Sequence, residues 1–191
     1  MSSSKIQVVK LEAEHSLRIE GAATLLNIGF RELSPESWAD MDSAREEILD
    51  LLKPNNLALV AINARGQVLG FVGGLPEYDG HVYELHPLVV HPEHQRQGIG
   101  RTLVAALERT VADQGAHTIM LGTDDEVGWT SLGGRDLYPN IWEQIRDIQN
   151  PGGHPYSFYQ KIGYQIVGLV PDANGFGKPD ILMAKRVARN E

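Results

Sequence analysis

Residues 83–101 read Tyr83-Glu84-Leu85-His86-Pro87-Leu88-Val89-Val90-His91-Pro92-Glu93-His94-Gln95-Arg96-Gln97-Gly98-Ile99-Gly100-Arg101. An apolar, strand-like run enters a Gln-Arg-Gln-Gly-Ile-Gly turn, and from Gly100 onward Leu103, Val104, Leu107 and Val111 recur at helical spacing. A strand that ends in a glycine-bearing turn and opens a helix aims backbone N–H groups outward at the positive end of the helix dipole, where a phosphate is stabilised. Gln95-x-x-Gly98-x-Gly100 therefore points to an anion site, and Arg96 and Arg101 add positive charge suited to a pyrophosphate. A glycine pair alone also describes a plain strand-to-helix turn, and neither the P-loop nor the Rossmann spacing is present. Within the strand, Pro87 removes one ladder donor. That predicts a bulge or a missing partner there, an opening where a ligand backbone can pair.

Upstream of this segment, residues 6–11 read as a strand and 17–30 as a helix with Leu17, Ile19, Ala22, Leu25, Leu26 and Phe30 on its apolar face. Residues 31–42 carry no decisive pattern. Ser43-Ala44-Arg45-Glu46 reads as a capping box, with Ile48, Leu51 and Leu52 buried behind it and Pro54-Asn55-Asn56 as a stop. Residues 57–62 and 68–72 form a hairpin around Asn63-Ala64-Arg65-Gly66, Gly73 and Gly74 follow it, and residues 81–90 are the third strand of the set. Downstream, Gly115 stops the long helix and residues 117–121 are a strand. Residues 122–153 are too long for an ordinary connection and carry a helix over 137–148 whose apolar face must rest on something. A short helix over 156–162 and strands over 164–170 and 181–187 complete an α/β domain of the α+β type, with a mixed sheet and no linker dividing residues 1–191.

Composition narrows the chemistry. With no cysteine, a disulfide framework, a thiolate zinc site and a cysteine nucleophile are excluded. The scattered His81, His86, His91, His94, His117 and His154 lack metal-ligand spacing, so no metal is expected, and no Gly-x-Ser-x-Gly elbow is present. Met1-Ser2-Ser3-Ser4-Lys5 lacks a signal-peptide pattern and no apolar run approaches the ~20 residues of a membrane span, so a cytoplasmic protein without membrane contact is expected. Against 17 Lys plus Arg stand 25 Asp plus Glu, a formal charge of −8 that argues against nucleic acid; it suits a cationic partner better, but mild acidity is common among cytoplasmic proteins and is the preferred reading until a local acidic cluster is shown.

Gln95 to Gly100 after a strand resembles the acetyl-coenzyme A motif of the GNAT superfamily of N-acetyltransferases, and Phe158-Tyr159-Gln160-Lys161-Ile162-Gly163-Tyr164 resembles that superfamily's C-terminal segment. Glu84-Leu85-His86-Pro87-Leu88-Val89-Val90, Leu121-Gly122-Thr123-Asp124-Asp125, Asp136-Leu137-Tyr138, His154-Pro155-Tyr156 and Asn174-Gly175-x-x-Lys178-Pro179-Asp180-Ile181 are similar to the aminoglycoside 6′-N-acetyltransferases. The resemblance implies the GNAT fold: a mixed, mostly antiparallel central sheet with helices on both faces and a bulged, splayed cofactor strand. It also implies direct acetyl transfer from acetyl-CoA to an amine in a ternary complex, the acceptor being the 6′-amine of an aminoglycoside, hence antibiotic resistance. A homodimer through the exposed face of the C-terminal strands is implied too.

In that frame Leu88 and Val90 pair with the pantetheine arm, and the Leu88 N–H polarises the thioester carbonyl. Gln95, Arg96, Gln97, Gly98, Ile99, Gly100 and Arg101 hold the pyrophosphate. An amine attacks only when neutral, so a base is required, and Glu84 is the matched candidate. It equally supplies charge that orients a polycation. His86, two residues on, relays a proton, positions the acceptor or pairs with backbone. Alternation puts Leu88 on the same face unless the bulge resets it. Tyr159 matches the acid that assists the leaving thiolate, or else packs beneath the sheet. Asp124 is the foremost acceptor-site residue, while Asp125, Glu126 and Asp136 either join it or form a solvated acidic loop. Two alternatives remain: the same chemistry on a polyamine, other small amine or protein lysine, and a coenzyme A-binding module without catalysis.

Overall fold

The computed structural model describes residues 6–188; residues 1–5, on which the signal-peptide reading falls, and 189–191 lie outside them. The described residues group into two compact units, one of residues 6–119 with 187–188 and one of residues 120–186. Along the sheet, the seven strands run in the order β1-β2-β3-β4-β5-β7-β6. In the first unit these are β1 (Gln7–Lys10), β2 (Leu57–Ile62), β3 (Val68–Glu77) and β4 (Val82–Val90), paired antiparallel in sequence order. Its helices are α1 (Ser16–Gly29), α2 (Met41–Leu51) and α3 (Ile99–Asp113).

Each helix forms where apolar residues recur at three and four positions. On α1 the buried set is Ile19, Ala22, Ala23, Leu25 and Leu26, whereas Leu17, expected on that face, is 88% exposed. With Ala44, Ile48 and Leu51 of α2 they pack on Val60, Phe71 and Val89. The opposite face of this sheet takes α3, which buries Ile99, Leu103, Val104, Leu107 and Val111, each contributing about 1.5–3 kcal/mol. Gly70 and Gly74 make that approach possible: a Cβ on Gly70 would stand 2.8 Å from Leu103 Cδ1, and one on Gly74 2.9 Å from Leu107 Cδ1.

Two expectations shift here. The glycine pair does not end the strand, because β3 continues through Gly73 and Gly74 to Glu77; the missing side chains make room for packing rather than for a reversal. Helix α2 begins one turn earlier than the Ser43 reading placed it. Asp40 Oδ1 accepts from Ser43 N at 2.8 Å while Ser43 Oγ donates to the Asp40 carbonyl at 3.0 Å, so Asp40 is the N-cap and Ser43 the third helical residue.

Strand β5 (Thr118–Asp124) runs from the first unit into the second, which adds α4 (Ile141–Arg146), α5 (Tyr156–Lys161) and the antiparallel pair β6 (Gln165–Val170) and β7 (Asp180–Arg186). Leu121, Leu132, Leu137, Tyr156, Tyr159, Tyr164, Ile181 and Met183 are buried in it. β5 outruns its expected end at residue 121, so Asp124 is its last residue. Helix α4 is shorter than the expected 137–148, and Trp142 on it is 71% exposed rather than resting on a core. No helix of the described residues is long and apolar enough to cross a membrane.

Candidate active site

Strand β4 carries a bulge at the place Pro87 marks. Val72 opposes Leu88 and Gly74 opposes Leu85, so His86 and Pro87 together face Gly73. A Cβ on Gly73 would overlap the His86 carbonyl oxygen, which is why glycine stands there. The extra residue reverses the parity of the strand. Glu84 opposes Leu75, which packs on the α1/α2 side, whereas Leu88 and Val90 oppose Val72 and Gly70, which lie on the α3 side. The bulge thus resets the alternation: Glu84 and His86 share one face, and Leu88 lies on the other.

The same register orients the backbone. His91 N donates to the Leu69 carbonyl at 2.9 Å, so Leu69 and His91 form a hydrogen-bonded pair, as do Phe71 and Val89. The alternate residues Leu88 and Val90 therefore direct their N–H and C=O groups away from β3, the orientation an extended ligand needs, with the Val90 carbonyl also accepting from Gln95 Nε2.

His86 is not isolated. Its Nε2 lies 3.6 Å from Glu47 Oε1, and its ring centroid 5.9 Å from that of Trp38. Trp38 Nε1 donates to Glu47 Oε2 at 3.4 Å, its carbonyl accepts from Asn27 Nδ2 at 3.0 Å, and Phe30 packs edge-on to it at 4.7 Å. Trp38 and Glu47 were not foreseen. Trp38 sits in the unpatterned 31–42 stretch, and Glu47 belongs to no motif; its position three residues after Ala44 and four before Leu51, both buried, is the usable signal.

Beyond β4, Arg96 and Gly98 both adopt positive φ, 59° and 84°, which turns successive backbone amides toward one side. Among the described residues no hydrogen-bond acceptor takes the N–H groups of Arg96, Gln97, Gly98, Ile99, Gly100 and Arg101. Gln95 Nε2 donates to the Val90 carbonyl at 3.3 Å and Thr102 Oγ1 to the Gly98 carbonyl at 3.0 Å, so the turn is braced from both ends. Nothing lies within 4 Å of where a Gly98 Cβ would stand. Open donors, an unobstructed approach, the α3 N-terminus and two exposed arginines are what a pyrophosphate needs, and the residues fit a coenzyme A moiety.

In the second unit, the two neighbouring aspartates have opposite environments. Asp124 is exposed; its Oδ1 accepts from Asn174 Nδ2 at 2.5 Å, and its carbonyl is 2.9 Å from His154 Nε2. Asp125 is fully buried. Its carboxylate accepts from Trp129 N at 2.6 Å, Thr130 N at 2.9 Å and Thr130 Oγ1 at 2.6 Å, so it ties down the following loop. Asp136 is exposed and its Oδ1 accepts from Tyr138 N at 3.1 Å. Tyr159, 8% exposed, stacks edge-on with Phe158 at 5.1 Å and Tyr164 at 5.7 Å, and burial pushes its hydroxyl well above the usual tyrosine range. A cleft lined by Arg135, Asn140, Glu143, Gln144 and Asp147 opens in the 122–153 insert, but none of the expected site residues lines it.

The sequence model of the Acetyltransferase (GNAT) family matches residues 22–128, more than half of the 191. The chain is similar to a crystal structure of an aminoglycoside 6′-N-acetyltransferase complexed with coenzyme A, with TM-score 0.88 and 37% identity over 97% of this chain and 99% of that one. The aminoglycoside 6′-N-acetyltransferase of Enterococcus faecium gives TM-score 0.86 and 37% identity over the same shares. A mycothiol acetyltransferase of Paenarthrobacter aurescens (strain TC1) is 34% identical over 90 residues, 45% of this chain and 27% of that protein; the match thus spans about a quarter of the curated relative. The fold, the bulged strand, the open amide turn and these likenesses lead to one conclusion: the chain belongs to the GNAT acetyltransferase family.

Proposed function

We propose that the chain, as a single acetyltransferase domain over residues 1–191, transfers the acetyl group of acetyl-CoA to the 6′-amine of aminoglycosides by direct attack in a ternary complex, and so confers antibiotic resistance. The observation that carries the acceptor is near-full-length likeness, at 37% identity, to aminoglycoside 6′-N-acetyltransferases. The formal charge of −8 supports a polycationic substrate.

The reaction follows from the residues. Amides 96–101 and the two arginines bind the pyrophosphate, and the outward backbone of Leu88 and Val90 takes the pantetheine arm as an added strand. The Leu88 N–H donates to the thioester oxygen, where negative charge grows as the amine attacks. Glu84, directly or through one water, accepts the ammonium proton that must leave first. His86 holds the acceptor with Glu47 behind it. Asp124 and Asp136 take further ammonium groups, while Asp125 keeps their loop in place. Tyr159 faces a constraint: a thiol is ordinarily more acidic than a phenol, and burial raises Tyr159 further, so complete proton transfer to the thiolate runs uphill. Its role in this reading is a hydrogen bond to the sulfur as charge develops.

A second reading keeps the chemistry and changes the acceptor to another amine, supported by the partial likeness to mycothiol acetyltransferases. One assay separates the two: acetyl-CoA is incubated with kanamycin, tobramycin or spermidine, free thiol release is followed, and the product is mapped by mass spectrometry. Aminoglycoside turnover with acetyl on the 6′-amine is expected. Turnover of spermidine alone would sink the aminoglycoside reading, and coenzyme A binding without any turnover would leave a non-catalytic module. A cytoplasmic homodimer completes the proposal, with Val167 and Val170, exposed on β6, as part of its interface.

A further inference from the structure

His154 is 1% exposed, and both of its ring nitrogens are engaged. Nδ1 accepts from the Tyr156 N–H at 3.2 Å, so this nitrogen carries no proton. Nε2, 2.9 Å from the Asp124 carbonyl, is then the N–H that donates to it. The neutral ring is what burial favours, since burial depresses the imidazole below its ordinary value. One side chain therefore fastens the last residue of β5 to the first residue of α5, the helix that carries Tyr159 three positions later.

The frame around the ring is itself braced. Asn150 Oδ1 accepts from His154 N, and Asn150 Nδ2 donates to the His154 carbonyl at 2.8 Å and to Ser157 Oγ at 2.6 Å. At the other end Asn174 holds Asp124 Oδ1 and leaves Oδ2 for a ligand. We infer that His154 is a positioning residue that sets the Asp124 carboxylate and the Tyr159 helix in one rigid frame, so that acceptor binding and leaving-group assistance share a single anchor. The inference rests on the proposed roles of Asp124 and Tyr159 in acetyl transfer.

The two bonds can be cut separately. In His154→Asn the amide oxygen falls near Nδ1 and keeps the Tyr156 bond but cannot reach Asp124; in His154→Gln the amide nitrogen falls near Nε2 and keeps Asp124 but not Tyr156. With acetyl-CoA and kanamycin, or whichever amine the protein turns over, His154→Asn is expected to raise mainly the KM for the amine. His154→Gln is expected to lower mainly kcat, each by about three- to tenfold, the range for one lost neutral hydrogen bond. The KM for acetyl-CoA should stay within about twofold of the wild-type value. Equal changes in all three constants, or none in either variant, would overturn the inference.

Amide spectra of the 15N-labelled protein decide independently of any substrate, so failure of the aminoglycoside reading is told apart from failure of this one. Shifts centred on Asp124 and Asn174 in His154→Asn, and on residues 156–159 in His154→Gln, support the shared anchor; the same shifts in both overturn it. Should both variants fail to fold, Asn174→Ala at the exposed end tests the carboxylate arm, with a raised amine KM supporting the frame and an unmoved one overturning it.

Discussion

The segment from β4 through the amide turn and the segment from β5 to α5 solve the same problem in different ways. In the first, every expected group lies within residues 83–101, and backbone geometry does the placing: one bulge decides which face each side chain takes, and two positive φ angles open the amides. In the second, the groups are far apart in sequence and side-chain hydrogen bonds do the placing, as when Asn174 reaches Asp124 and His154 reaches its carbonyl. Backbone placement leaves Glu84 half-buried and Arg96 and Arg101 exposed, while His86 faces side-chain neighbours, Glu47 and Trp38. Side-chain placement ties stability to function. Substitutions in the first segment should therefore cost chemistry or binding, and in the second those at buried hydrogen-bonding side chains such as Asp125 should cost folding as well.

The sharpest division is at Glu84. Glu84→Gln keeps shape and burial but removes the proposed proton acceptor, so kcat should fall about 10²- to 10⁴-fold, with the melting temperature and the KM for acetyl-CoA little changed. Steady-state thiol release checks this, and a near-wild-type kcat across the pH range would remove Glu84 as base. Next comes Gly98→Asp, which puts a side chain at φ 84° and a carboxylate among the open amides. Acetyl-CoA affinity by titration calorimetry should drop at least about 100-fold, as the loss of more than one charge-assisted hydrogen bond implies. Retained affinity would show that the turn is not the pyrophosphate cradle.

The adjacent aspartates test the other segment. Asp125→Ala removes the acceptor for three donors of the 129–130 loop and should cost about 2 kcal/mol or more in chemical denaturation. Asp124→Ala removes an exposed carboxylate, so its effect should appear as a raised amine KM with little loss of stability. If the two variants behaved alike, the contrast between them would not hold.

This contrast also explains what was legible in the sequence. The order of strands and helices, the turn and the bulge were readable because apolar periodicity, Pro87 and Gly98 act on their own neighbours. The reset of Leu88 to the other face was left open, since parity through a bulge depends on which partner residue faces the extra one, and that residue, Gly73, is thirteen positions away in sequence. The start of α2 was misplaced because Asp40 and Ser43 both satisfy the rules for a cap, and only the bond between them decides. Asp124 and Asp125 are indistinguishable as letters. Burial separates them, through loop donors and through Asn174 fifty residues on. Trp38 is missed for the same reason: its meeting with His86 joins a turn to β4, and the one local mark of the cluster is Glu47's place on the buried face of α2 between Ala44 and Leu51.

The smallest expected effect concerns acid. Burial holds the folded-state pKa of His154 below the ordinary 6.5, outweighing the Asp124 carbonyl and the nearby charges of Asp125 and Asp124, which raise it. The unfolded chain therefore takes up a proton at a pH where the folded chain does not. The stabilisation from the neutral ring is fully present above about 6.5 and is lost as pH falls through the lower folded value. Melting temperatures of the wild type should decline as the solution is acidified below that point, with a slope of less than one proton from this site. His154→Asn has no titrating ring and should lose that part of the decline while starting from a lower plateau. An identical acid slope in both proteins would mean that His154 does not titrate in this window, and the link between the ring's burial and the frame it anchors would then lose its support.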